Sequence, residues 1–143
     1  MKFVLSHPLC PEGMEMLGSR AKVFVANDGD PNNYLDQMKD ADGIILRIAK
    51  IDRHAIEHSP SLKVIGKTGV GYDSIDVAAA NEAGIPVVIT PGTNNRSVAE
   101  HAAAMMFAIS KNLLEGHEET VKGNFMAVRG LGKAFEILGK KAG

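Results

Sequence analysis

Short, nearly unbroken apolar runs recur along the chain at residues 3–5, 23–26, 44–46, 64–65 and 86–89. Within each run the apolar residues follow one another instead of alternating with polar ones. Strands buried on both faces have this pattern, and it predicts a parallel sheet. Helical patterns separate the runs. The first covers 12–17 and stops at Gly18. The second opens on Asp30 as N-cap and Pro31 as first helical residue, with Tyr34, Leu35 and Met38 on one face. A third covers 52–58 and stops before Pro60. A fourth covers 74–83, with Gly84 placed to end it. Strands alternating with helices predict a doubly wound α/β domain.

Pro91-Gly92-Thr93-Asn94-Asn95 breaks the alternation. The sheet domain is therefore expected over 1–92, with a second segment over 93–143. Ser97 and Glu100 have the spacing of a capping box, which predicts a helix from Ser97 to Asn112 or Leu114. Val98, Ala102, Met105, Met106, Ile109 and Leu113 form an apolar stripe along it. Ala99, Ala103, Ala104 and Ala108 keep its other faces small. A helix so apolar is expected to be buried against another domain or subunit. A homodimer paired through the helix from Ser97 to Leu114 follows as the expected assembly.

In open α/β sheets ligands bind at the carboxyl ends of the strands. Here those ends carry Ser6-His7, Arg47, residues 67–72 and residues 90–95. The most distinctive stretch is Gly66-Lys67-Thr68-Gly69-Val70-Gly71-Tyr72-Asp73-Ser74-Ile75-Asp76. Gly69 and Gly71 permit a tight turn and close approach of a ligand to the backbone. Asp73 reads as an N-cap, with Asp76 completing an approximate capping box. Strand, glycine turn and helix start predict an anion site made of free amides and a helix dipole. The alternative is a plain loop whose glycines serve sterics alone. Arg47 ends a buried strand at the same edge, where its fork can hold a carboxylate or phosphate.

Composition narrows the partners. The chain has 143 residues, 45% hydrophobic and 23% charged, with a net charge of −1, as in an ordinary soluble domain. Nothing in that balance points to nucleic acid or an anionic membrane. Cys10 is the one cysteine, so no disulfide forms within the chain, which suits a reducing compartment. The apolar N-terminus is too short for a signal peptide, and no run of about 18 apolar residues occurs. The expected location is cytoplasmic.

Three motif matches fail on inspection. Gly69-Val70-Gly71 begins like a dinucleotide fingerprint, but its last required glycine is Ser74. His54-Ala55-Ile56-Glu57-His58 matches H-x-x-E-H, a zinc signature, but no third protein ligand is evident, and a solvated helix face accounts for it better. Glu100-His101 resembles an acid–base pair, yet adjacent helical residues do not face each other. No metal site is expected.

Leu62-Lys63-Val64-Ile65-Gly66, followed by residues 69–76, resembles the substrate-domain signature of D-isomer-specific 2-hydroxyacid dehydrogenases. Ala83-Gly84-Ile85-Pro86-Val87 and then residues 91–101 continue the match in order. Gly123-Asn124-Phe125, Arg129 and residues 136–141 look like the segment before the family's first nucleotide-domain strand. The resemblance is nearest to the phosphoglycerate dehydrogenase branch. It implies a flavodoxin-like five-stranded sheet of order 2-1-3-4-5, followed by a long helix belonging to a Rossmann domain. It also implies a small 2-hydroxy or 2-oxo acid as substrate, and NAD or NADP as cofactor of the full-length enzyme. The Val70 and Gly71 amides would bind the substrate carboxylate, Arg47 would lie near its distal end, and Asn94 and Val98 would sit near the nicotinamide. Residues 95–96 would form one hinge strand. The helix from Ser97 would belong to the nucleotide domain and the dimer interface. The family's G-x-G-x-x-G turn and its catalytic arginine, glutamate and histidine come later than Gly143. The chain is thus expected to be the N-terminal part of such an enzyme, without catalytic residues, tight cofactor binding or dehydrogenase activity of its own. The alternative is a stand-alone binding or dimerisation module.

Overall fold

A computed structural model describes residues 1–26, 30, 33–130 and 132–141. The chain divides into two compact units, Met1–Thr93 and Asn94–Gly143. The first is built on five parallel strands, β1 (Lys2–Leu5), β2 (Lys22–Val25), β3 (Gly43–Leu46), β4 (Val64–Lys67) and β5 (Val87–Ile89), in the order β2-β1-β3-β4-β5. Helices connect them: α1 (Pro11–Gly18), α2 (Leu35–Met38), α3 (Arg53–Glu57) and α4 (Val77–Glu82). This is the doubly wound α/β sheet that the continuous apolar runs predict. Val4, Leu5, Ile44, Leu46 and Ile65 are wholly buried in it, with Tyr34 and Met38 packed alongside.

Two helix starts differ from expectation. The helix expected over 74–83 begins at Val77, and its cap is Asp76, whose Oδ1 accepts the Ala79 N–H at 2.9 Å. Asp73 caps nothing, because residues 74–76 are drawn into pairing with the loop after β3. Ile51 and Ile75 form a parallel bridge, in which the Ile51 N–H donates to Ser74 O and the Asp76 N–H to Ile51 O, each at 2.9 Å. Ile51 and Ile75 are both buried, so the bridge adds apolar burial to two backbone bonds that an earlier helix start would forgo. The helix expected to start at Asp30 is seen only as α2, which begins at Leu35 with Tyr34 as its N-cap, so Asp30 does not cap it; Pro31 lies outside the described residues. Asp52 caps α3 by accepting the Ala55 N–H at 2.9 Å.

The second unit holds α5 (Asn95–Ser110), α6 (Leu113–Val121) and α7 (Phe125–Gly130). The capping box does not form. The helix starts two residues before Ser97, with Asn94 as N-cap and no side-chain cap, so Ser97 and Glu100 already lie inside it. Nor does the helix continue to Leu114. It ends at Ser110, and Asn112 turns the chain at φ 49°, a left-handed conformation that asparagine tolerates. Asn112 Nδ2 donates to Glu115 Oε2 at 2.8 Å, which secures the turn. Val98, Met105, Met106, Phe107 and Ile109 of α5 are exposed. Among the described residues no helix is long and apolar enough to cross a membrane.

Two outcomes test this packing. Gly43 pairs with Phe3 and Val64, and a Cβ there would stand 2.8 Å from Phe3 Cδ1 and 3.0 Å from Val64 Cγ1. Gly43→Ala is expected to cost about 1–3 kcal/mol by overpacking, read as a lower urea midpoint. At the amino edge of the sheet, Asp42 Oδ1 accepts from Lys63 Nζ at 2.5 Å and Oδ2 from the Lys2 backbone N–H at 2.8 Å. The Lys63 hydrogen bond, and then the Lys2 amide, hold the Asp42 carboxyl below its ordinary value. A depressed folded-state pKa stabilises above the ordinary carboxylate range and ceases to do so as pH falls through the folded value. The gap in urea midpoint between wild type and Asp42→Asn should therefore be widest at neutral pH and close in acid.

Candidate functional site

The polar residues of the first unit gather at the carboxyl edge because each strand there ends one or two residues before its polar neighbour. After β1, Ser6 is fully buried, and its amide still donates to Ile45 O at 3.1 Å. Its Oγ accepts the Arg47 N–H at 3.1 Å and lies 3.1 Å from His7 Nδ1. Lys67, the last residue of β4, donates its Nζ to the Arg47 carbonyl. The Arg47 backbone is thus held by a buried hydroxyl at its N–H and by an ammonium at its C=O, while its side chain is exposed.

The glycine stretch leaves β4 through Thr68, whose N–H donates to Leu46 O at 2.9 Å. Gly69 has φ +118°, a conformation that side chains rarely adopt. It is pinned to the end of β5: its N–H donates to Thr90 Oγ1 at 2.7 Å, and its carbonyl accepts the Thr90 N–H at 2.9 Å. Gly71 has no such φ, and a Cβ on it would meet only Asp73 Oδ2 at an ordinary 3.5 Å. The two glycines therefore differ, Gly69 being required by conformation and Gly71 not. Beyond Gly69, the Val70 and Gly71 amides donate to no group among the described residues. Two successive N–H groups without a partner can donate to an anion.

The helix dipole takes no part. α4 begins at Val77, and Asp76 already accepts at its start. Positive charge comes from side chains. A cavity of about 400 Å³ beside the turn is lined by Ile48, Lys50, Lys67, Gly71, Asp73 and Ser74. The Ser74 hydroxyl is buried there without a hydrogen-bond partner. Lys50 is fixed through its carbonyl, which accepts from the buried Tyr34 hydroxyl at 2.9 Å. Arg47 is not among the lining residues. A larger cavity of about 660 Å³ lies at the amino edge, where Asp40 and Asp42 are taken up by Lys2 and Lys63. It is at the wrong end of a parallel sheet for a ligand site.

The candidate residues thus fall into two sets. Val70, Gly71 and Arg47 belong to the first unit. Asn94 and Val98 belong to the second, on the first turn of α5, where the Asn94 carbonyl accepts the Val98 N–H at 3.0 Å. Ile48 and Lys50 were missed. Their signal was position, since both follow Arg47 in a loop that leaves the ligand edge. Thr90 was passed over as one of several polar residues after the fifth run, although it holds Gly69 at both ends of its peptide.

Comparison with known proteins agrees with this architecture. The family described as D-isomer specific 2-hydroxyacid dehydrogenase, catalytic domain, matches residues 3–133. A D-3-phosphoglycerate dehydrogenase of Methanocaldococcus jannaschii is 35% identical over 144 residues, covering all of this chain and 27% of the relative. The crystal structure of NAD-dependent formate dehydrogenase from Staphylococcus aureus in complex with NAD superposes with a TM-score of 0.78 at 32% identity, over 96% of this chain and 46% of the other. An NAD+-bound 3-phosphoglycerate dehydrogenase of Entamoeba histolytica does so with a TM-score of 0.69 at 33% identity, over 78% and 39%. The chain therefore spans about a quarter of the phosphoglycerate dehydrogenase from Methanocaldococcus and under half of these solved structures. With the family matched across most of its length and its parallel sheet shared with these structures, the chain belongs to the D-isomer-specific 2-hydroxyacid dehydrogenases.

Proposed function

We propose that this chain is the N-terminal, substrate-binding part of an NAD(P)-dependent oxidoreductase that interconverts 2-oxo acids and D-2-hydroxy acids of phosphoglycerate or glycerate type. The observation that carries the reading is the pair of free amides at Val70 and Gly71, beside a cavity lined by two lysines at the carboxyl edge of the sheet. A substrate carboxylate is planar and accepts from two neighbouring N–H groups, and charge-assisted bonds of this kind are stronger than neutral ones. Arg47 binds toward the distal end of the substrate. Residues 1–92 form the substrate domain. Residues 93–143 supply the hinge and the first helices of the nucleotide domain, with Asn94 and Val98 beside the nicotinamide.

A nicotinamide cofactor, which Asn94 and Val98 would flank, would supply the hydride-transfer chemistry of the complete enzyme. This chain's residues bind and orient the acid, which lowers the entropic part of the barrier. On this reading the chain's part is to bind the substrate, and by itself it is inactive and binds no cofactor tightly. The enzyme works in the cytoplasm.

The exposed face of α5 favours a second reading, a pairing module. Val98, Met105, Met106, Phe107 and Ile109 offer an apolar surface suited to an isologous homodimer contact.

Titration of the ¹⁵N-labelled chain with D-glycerate should shift the Val70 and Gly71 amide resonances first. Unmoved resonances at saturating ligand would end the carboxylate assignment. Gly69→Ala forces a side chain into φ +118°, so it should cost about 1–3 kcal/mol of stability and weaken D-glycerate binding about tenfold or more. No NADH consumption with 2-oxo acids is expected from the purified chain; turnover above a mock preparation would contradict the division of labour. Light scattering at micromolar concentration should give twice the chain mass, and a monomer would remove the pairing reading.

A further inference from the structure

We propose that His54 and His58 form a two-imidazole surface site for a borderline divalent transition-metal ion such as Ni²⁺, Cu²⁺ or Zn²⁺. The H-x-x-E-H motif plays no part in the substrate reading above, and its failing as a zinc signature was the missing third ligand. Among the described residues no group of three histidine, cysteine or acidic side chains gathers. That argues against a closed, four-ligand structural zinc centre. It leaves an open site, in which two protein nitrogens hold the ion and water completes its shell.

The geometry points to such a site. Ala55 and Ile56 are buried and Asp52 caps the start of α3, so the short helix is fixed from below and at one end. His54 and His58, both exposed, stand one turn apart with ring centroids 4.0 Å from each other and planes tilted by 36°. His58 Nδ1 lies 2.8 Å from the His54 carbonyl oxygen. A carbonyl only accepts, so Nδ1 carries the proton and Nε2 carries the lone pair. A backbone carbonyl holding the other ring N–H is the arrangement that orients metal-bound histidines and raises their basicity. At this ring separation both imidazoles can reach one ion at about 2.0–2.1 Å per nitrogen, the usual metal–imidazole distance.

The charge around the pair is compatible with a cation. Arg53 precedes His54 in the chain, and its guanidinium is engaged by both oxygens of Glu82, at 2.6 and 3.1 Å, with Glu57 at 3.6 Å. One arginine is thereby matched by two carboxylates beside the histidines. Imidazole ligands suit Cu²⁺, Ni²⁺ and Zn²⁺, with Cu²⁺ bound tightest, and disfavour Mg²⁺ and Ca²⁺.

The test is isothermal titration of the untagged 143-residue chain with NiCl₂. One ion per chain is expected. His54→Asn and His58→Asn should each weaken Ni²⁺ binding about tenfold or more. His117→Asn and Cys10→Ser should leave it unchanged. Both histidines lie outside the core, and circular dichroism of each variant checks that the fold is kept. A measurement on the wild-type chain needs no variant: bound Cu²⁺ should broaden amide resonances around 54–58 first, and its electron paramagnetic resonance spectrum should show two coupled nitrogens. Absence of binding, a loss that follows His117 or Cys10 instead, or broadening centred elsewhere would overturn the proposal.

Discussion

The candidate site depends on a single parallel bridge, Ile51 to Ile75, outside the five-stranded sheet. One loop leaves the carboxyl edge after β3, held at Lys50 by the Tyr34 hydroxyl, and another after β4, held at Gly69 by Thr90. The bridge ties them through two backbone bonds and two buried isoleucines. Its neighbours in sequence, Lys50 before Ile51 and Ser74 before Ile75, are thereby brought to line one cavity with Gly71. The bridge also delays α4 to Val77, which separates the glycine turn from the start of the helix.

Most of the sheet was legible in the chain. Strands buried on both faces must be apolar on consecutive residues, and helices between them must end at turn residues, so the runs at 44–46 and 64–65 and the helix stop before Pro60 declare themselves. What was illegible arose from contacts between distant residues. Asp73 and Asp76 are equally good caps by local chemistry; the choice falls on Asp76 because Ile75 pairs with Ile51. Ser97 and Glu100 have the right spacing for a box, yet Asn94 starts the helix earlier. Arg47 could be marked as an edge residue, but not the clamp on its peptide by Ser6 and Lys67, since that joins the ends of β1, β3 and β4.

The two units differ in how much of their apolar surface they bury. The first has a closed core and presents a polar edge. The second has three helices with little of their apolar surface covered: Ser110 is the one buried residue of α5. Most helical stability in proteins comes from packing of an apolar face, and little of that packing lies within this unit. That fits a chain which spans about a quarter of the Methanocaldococcus phosphoglycerate dehydrogenase it matches.

The Arg53–Glu82 pair joins α3 to α4, and with the Ile51–Ile75 bridge it spans the same two connections at a second point. Residues 51–57 and 75–82 are therefore tied to each other at two points. The outer pair is at the surface and weakens with salt, while the inner bridge is buried and does not. Added salt thus loosens the outer tie between the two connections and leaves the inner one unchanged.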